Sequence, residues 1–218
     1  MSNYILKYKR EDEVKHISHL DFVRFIQRVM RRAELPMAFS SGFNPHPIMS
    51  VALPLSVGVT ADGELMKISL DGDFDESVVL ETINDVLPKG FKITAIKKTV
   101  GKEFDFNKIN RAEYICHCET DVKFINIEKF LANESILVMK KSKSGIKEAN
   151  IRPHIHSFEI IDSDDNSCTL KMSLDAGNSY NLKPDTVIEA MMKYDDNLKI
   201  SYYTVNRCKL LCDDNELF

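Results

Sequence analysis

The stretch "SHLDFVRFIQRVMRRAELP", residues 18–36, decides how this chain is read. Leu20, Val23, Ile26, Met30 and Ala33 recur at helical spacing, so a helix is expected from about His19 to Glu34, stopped by Pro36. Ser18 stands at its N-cap with Asp21 three residues on, a variant of the capping box. Before it, Tyr4–Arg10 reads as a short strand. After it, Ile48–Leu55 reads as a buried strand, and Met66, Ile68 and Leu70 alternate with Lys67 and Ser69 on a strand with one wet face. Asp75 is the expected cap of a second helix, Glu76–Leu87, ended by Pro88 and Gly90. Phe91–Lys98 closes the series, giving the order β-α-β-β-α-β.

The order then repeats. Glu113–Cys118 reads as a strand, and Asn126 caps a short helix to about Ala132. Arg152–Ile161 and Cys168–Leu174 form a hairpin across "DSDDNS". Pro184 begins a helix that runs to about Tyr194, a first-turn position that suits proline. Lys199–Asn206 is the last strand. The expected fold is therefore α+β: two tandem ferredoxin-like (βαββαβ) units with antiparallel sheets, at 1–99 and 112–212. A charged linker (100–111) joins them and an acidic tail (213–218) follows. Each half carries an extra apolar stretch, "MAF" at 37–39 and "ILVM" at 136–139. Each is followed by Ser-Gly (Ser41-Gly42, Ser144-Gly145) and then Pro-His (Pro45-His46, Pro153-His154). Internal duplication and chance both account for so few matched residues.

Bulk composition narrows the class. The 218 residues are 44% hydrophobic, enough for a real core, and no apolar run approaches the ~20 residues of a membrane span. The N-terminus lacks the apolar stretch of a secretory signal. Five cysteines without a dense framework indicate reduced thiols and a cytoplasmic protein. A net charge of −4 argues against nonspecific coating of nucleic acid, and DNA is not an expected partner. The charge is uneven, however: positive residues gather at Arg24–Arg32, acids at 162–166, 195–196 and 212–218.

Arg24, Arg28 and Arg31 stand at i, i+4 and i+7, a stripe about 10 Å long, with Arg32 beside it. Forked guanidinium groups in a row suit phosphates, while a solvated face with local acidic partners gives the same pattern. Next comes "SSGFNPHP" (40–47), where proline and glycine fix backbone shape and display an aromatic ring and an imidazole. Phe43 can stack on an unpaired base. His46 can shuttle protons or simply tie down the loop. In "HISHLD", His16, His19 and Asp21 lie close together, but His19 and Asp21 at i, i+2 do not share a helix face. "IRPHIH" places Arg152, His154 and His156 on one side of a strand, with no carboxylate or third histidine at convincing spacing. Cys116 and Cys118 with Cys208-x-x-x-Cys212 invite a zinc reading; buried small cysteines are the competing one. No P-loop, G-x-G-x-x-G, G-x-S-x-G or cluster-binding cysteine triad occurs.

Ser18-His19-Leu20-Asp21, Arg31-Arg32-Ala33, the run Ser41-Gly42-Phe43-Asn44-Pro45-His46-Pro47, then Gly58 and Glu64, form a long motif. It resembles the radical SAM-linked (radical SAM-associated) bacterial family of unknown function, and "KEANIRPHI" and "LKPDTVIEAM" extend the likeness over nearly the whole chain. The resemblance implies a radical SAM protein as partner, fused or encoded beside it, and hints at RNA. It brings no established reaction and no catalytic residue. A looser likeness to tandem ferredoxin-like RNA-binding proteins, guide-RNA-processing endoribonucleases among them, is analogy of fold alone.

The resulting expectation is a non-catalytic accessory protein of a radical SAM enzyme, without cofactor or metal and away from membranes. It would hold RNA or its partner through Arg24, Arg28, Arg31, Arg32, Ser41, Gly42, Phe43, Asn44, His46 and Arg152. The alternatives are a metal-independent endoribonuclease using His46, with His19 as a possible second group, and a pure protein-interaction adaptor.

Overall fold

A computed structural model describes residues 1–99, 105–120, 126–142, 145–213 and 215–216. The chain is mixed α+β and divides into two compact units, Met1–Lys108 and Ile109–Leu217. Among the described residues, no helix is long and apolar enough to cross a membrane.

The first unit runs β1 (Ser2–Arg10), α1 (His19–Arg32), β2 (Met49–Val51), β3 (Thr60–Leu70), α2 (Glu76–Val86) and β4 (Phe91–Thr99). Its strands lie in the order β4-β1-β3-β2, every neighbouring pair antiparallel. Side chains alternate across a strand, so Tyr4, Leu6 and Tyr8 of β1 share a face with Met66, Ile68 and Leu70 of β3. Onto that face pack Phe22, Ile26, Val29 and Met30 of α1 and Val79 and Ile83 of α2. Burying each of these large side chains contributes about 1.5–3 kcal/mol.

The details correct the sequence reading in places. Leu20 is 67% exposed rather than buried. It stands one turn before Arg24 on the outer face of α1, while Phe22 and Val29 fill the inner face. The Ser18 hydroxyl caps α1 by accepting from the Asp21 N–H, and it donates to the Asp21 carboxylate at 2.7 Å. Asp75 holds the N-cap position of α2 without making a side-chain cap bond. The strand expected over Ile48–Leu55 shrinks to Met49–Val51, because Pro54 has no N–H to give a ladder.

The second unit runs β5 (Arg111–Thr120), α3 (Ile127–Leu131), β6 (Leu137–Ser142), β7 (Gly145–Asn150), β8 (Ile155–Ser163), β9 (Ser167–Asp175), α4 (Pro184–Tyr194) and β10 (Ile200–Cys212). Its sheet order is β10-β5-β9-β8, again antiparallel throughout. β6 and β7 form a separate two-stranded hairpin. Leu170, Met172 and Leu174 of β9 are fully buried, as are Val187 and Ile188 of α4. The strand expected from Arg152 begins only at Ile155; Arg152–His154 is a single 3-10 turn. Pro153 fixes φ and lacks a donor, so it fits that turn and not a ladder. β10 runs six residues beyond its expected end at Asn206. Residues 100–104 of the expected linker, Ser144, and 214, 217 and 218 of the expected tail lie outside the described residues.

Candidate nucleic-acid interface

Arg10 is the anchor that orients α1. It is only 3% exposed at the end of β1, and its guanidinium donates to three backbone carbonyls. Those are Val14 at 3.1 Å, Lys15 at 2.6 Å and Ile17 at 2.5 Å. The connection into α1 is thus tied to the sheet immediately before the Ser18 cap. Sequence reading missed Arg10, although a strand otherwise ending in apolar alternation offered a weak sign. Glu64, 1% exposed, stands opposite Tyr8 across β1 and β3.

On the outer face of α1, Arg24, Arg28, Arg31 and Arg32 are all exposed. Arg24 makes a loose ion pair with Asp21 at 3.5 Å, worth at most about 1 kcal/mol at this exposure. Among the described residues, no carboxylate pairs with Arg28, Arg31 or Arg32. Arg31 and Arg32 in the last turn also complement the negative end of the helix dipole. The helix ends in a Schellman arrangement: Glu34 takes φ +54°, and the Leu35 N–H reaches the Met30 carbonyl at 3.1 Å.

The chain from α1 to the loop is fastened to β3. The Asp71 N–H donates to the Pro36 carbonyl and the Ala38 N–H to the Ser69 carbonyl, each at 2.8 Å. Phe39 then pairs with Pro47, and the loop is clasped at its neck by Ser40 and His46. The Ser40 N–H donates to the His46 carbonyl at 2.9 Å, and the His46 N–H donates to the Ser40 hydroxyl at 3.1 Å. A third bond joins that hydroxyl to His46 Nδ1 at 3.0 Å. His46 therefore ties down the loop, and Ser40, absent from the sequence-derived set, is its partner. Ser41, Gly42, Phe43 and Asn44 project beyond the clasp. Gly42 has φ +118° in open space, so backbone conformation alone calls for glycine there. The Phe43 ring is fully exposed, an unusual place for a large apolar side chain.

Arg152 does not join this surface. It belongs to the second unit, where its guanidinium donates to the Leu131 carbonyl at 2.9 Å and the Ile155 carbonyl at 3.3 Å. His154 and His156, expected without a carboxylate, have one: both rings hydrogen-bond to Asp175. The separation of 21 and 19 residues hid this pairing from any spacing rule. His16 and His19 form no such pair with Asp21, which serves the Ser18 cap. Cys116, Cys118 and Cys168 are buried in the second unit. Burial pushes the Cys116 thiol up to about 12. Cys118 is also raised, first by its hydrogen bond with Cys168 and then by burial, while the same bond lowers Cys168, so thiolate is disfavoured at Cys116 and Cys118. Among the described residues, no group of three His, Cys, Asp or Glu is placed to hold a metal ion.

Fold and surface together define a two-unit α+β protein that exposes a basic helix and a clasped aromatic loop. The chain belongs to a family described as an uncharacterized protein conserved in bacteria (DUF2344), whose model matches residues 3–184. No curated protein matches the sequence. Among solved structures, the chain is similar to one in a Cbf5-Nop10-Gar1 complex, with TM-score 0.52 and 7% identity, over 95% of this chain and 48% of that one. It is likewise similar to a chain in an H/ACA RNP bound to a substrate RNA containing 2′-deoxyuridine, with TM-score 0.50 and 7% identity, over 95% and 47%. The chain spans about half the length of those structures, and at such identity the likeness is one of fold alone.

Proposed function

We propose that this chain is an accessory protein of a radical SAM enzyme that holds RNA on its first unit. Arg24, Arg28, Arg31 and Arg32 take phosphates, and Phe43 stacks on an unpaired base presented by Ser41, Gly42 and Asn44. His46 acts as the clasp of that loop. The observation that carries the reading is the exposed guanidinium groups of Arg28, Arg31 and Arg32, without acidic partners among the described residues, on a helix whose entry and exit are both fastened to one sheet. The backbone that carries these groups is already anchored, so binding phosphate has only their side chains to order.

The two units are read as tandem ferredoxin-like domains. In each, the sheet order follows the sequence as last-first-third-second strand, which supports an internal duplication. The β6–β7 hairpin of the second unit supports a protein contact. Leu137, Met139 and Ile146 share one of its faces by register and are all exposed. That face is assigned to the radical SAM partner.

The test is binding of single-stranded and structured RNA across a salt series. Wild type should lose affinity linearly in log salt, and replacing Arg28, Arg31 and Arg32 together with alanine should flatten the slope by about 2 for single strands. Wild-type binding that is absent or indifferent to salt removes the RNA reading. Copurification with the radical SAM protein after nuclease treatment, lost in Met139→Asp, tests the partner.

A further inference from the structure

The second unit gathers titratable side chains that the RNA-holding surface leaves unused. Asp175 ends β9, and its two oxygens are divided between two imidazoles. Oδ2 bonds His154 Nδ1 at 2.7 Å and Oδ1 bonds His156 Nε2 at 2.5 Å. An ionised carboxylate only accepts, so each ring turns an N–H toward it and both tautomers are set. In the neutral rings this leaves His154 Nε2 and His156 Nδ1 as bare bases. All three side chains are about a quarter exposed.

The surroundings are built rather than incidental. The Tyr180 ring stacks on His154 with centroids 3.4 Å apart and planes 9° apart. Lys140 Nζ lies 3.8 Å from the Tyr180 centroid. The loop bearing Tyr180 is pinned by three features. The Ala176 N–H donates to the Asn110 carbonyl at 3.0 Å, the Leu182 N–H donates to the Asp175 carbonyl at 2.9 Å, and Gly177 packs so close to the Ile109 carbonyl that no Cβ fits. Arg111 stands directly opposite Asp175 across β5 and β9. The Tyr180 hydroxyl is buried with no hydrogen-bond partner among the described residues, an arrangement that stability alone does not reward. A structural histidine needs one partner. Two imidazoles oriented by opposite oxygens of one carboxylate supply the two proton-transfer groups that acid–base chemistry needs.

We propose that His154 and His156, oriented by Asp175, form a general acid–base pair that cleaves an RNA phosphodiester. The choice of RNA as substrate rests on the reading of the first unit. The reaction moves only protons and one phosphoryl bond. One imidazole takes the proton of a ribose 2′-hydroxyl as the 2′-oxygen bonds to phosphorus. The other, protonated, gives its proton to the 5′-oxygen as that oxygen leaves. The products carry a 2′,3′-cyclic phosphate and a 5′-hydroxyl, and proton exchange with water resets the pair. Arg111 and Lys140 supply the positive charge that the phosphate oxygens call for.

The experiment incubates the full chain with end-labelled single-stranded RNA in excess chelator and follows both binding and cleavage. Wild type should yield cyclic-phosphate ends with a bell-shaped pH profile, whose two limbs belong to the pair. His154→Asn and His156→Gln place an amide N–H where Nδ1 and Nε2 meet Asp175 but cannot carry a proton, so each should slow cleavage about 100-fold or more without loss of binding. His117→Ala, at a separate exposed imidazole bonded to Thr169, should leave the rate unchanged. RNA that is bound but stays intact overturns the nuclease step and leaves the RNA-holding reading in place. RNA neither bound nor cut overturns both. Cleavage that survives 2′-deoxy substitution throughout, or both amide variants, overturns the proposed pair.

Discussion

The two units have the same strand order but spend the same connection differently. Between the first helix and the sheet, the first unit narrows to the Phe39–Pro47 pair and the Ser40–His46 clasp. The second unit stretches the matching piece into the six-pair β6–β7 hairpin. Both contain a glycine of nearly equal conformation, Gly42 at φ +118° and Gly145 at φ +117°. Their helices also diverge: α1 has 14 residues and an arginine face, whereas α3 has 5 residues and no arginine. One unit displays guanidinium groups on an anchored helix and the other gathers imidazoles about a carboxylate. Shared topology leaves chemistry open, because the side chains on the loops and outer faces are free of the core.

The largest test of this contrast is Gly177→Ala. A Cβ would meet the Ile109 carbonyl oxygen, and φ +151° is strained for any side chain, so the second unit should lose about 3 kcal/mol or more. Gly42→Ala meets open space and should cost only about 1 kcal/mol in the first unit. Urea unfolding followed by amide exchange resolved to each unit separates the two effects. Equal losses would mean that the loops are not held as differently as described.

Arg10→Met strips three carbonyls of a buried donor and should cost about 3 kcal/mol, read as lost exchange protection over α1. Protection in the second unit should be unchanged. Phe43→Ala should weaken single-stranded RNA binding by about 1–3 kcal/mol with no change in stability. A matching fall in stability would show the ring to be part of the fold.

Acid separates the units further. Burial raises the Asp175 carboxyl, but hydrogen bonds from His156 and His154 and their charge outweigh it, so its pKa is lowered on folding. A lowered carboxylate stabilises above its unfolded value, near 4, and that stabilisation is lost as pH falls through the folded value. Asp175→Asn should therefore flatten the second unit's loss of stability below about pH 4, measured by urea midpoints across pH. The smallest expected effect is Glu34→Gly, which relieves φ +54° at the end of α1 and should stabilise the first unit by up to about 1 kcal/mol.

Local features were readable from residues alone. The Ser18 cap, the Pro36 stop, the Asn126 cap and the Pro184 start all depend on neighbours within four positions. The alternation of Met66, Ile68 and Leu70 gave the buried face of β3 because strand period is local as well. Leu20 was misplaced because helical spacing alone does not say which arc of α1 meets the sheet.

Sequence by itself determined the helices, the Ser18 and Asn126 caps and the concentration of arginine on α1, since these are set by residues within a few positions of one another. Tertiary structure alone decided that Arg10 secures the entry to α1, that His46 closes on Ser40, and that Asp175 stands between His154 and His156. The reason is physical: these groups meet through loop closure and strand register, and the energy that fixes them comes from burying a core to which they do not themselves belong.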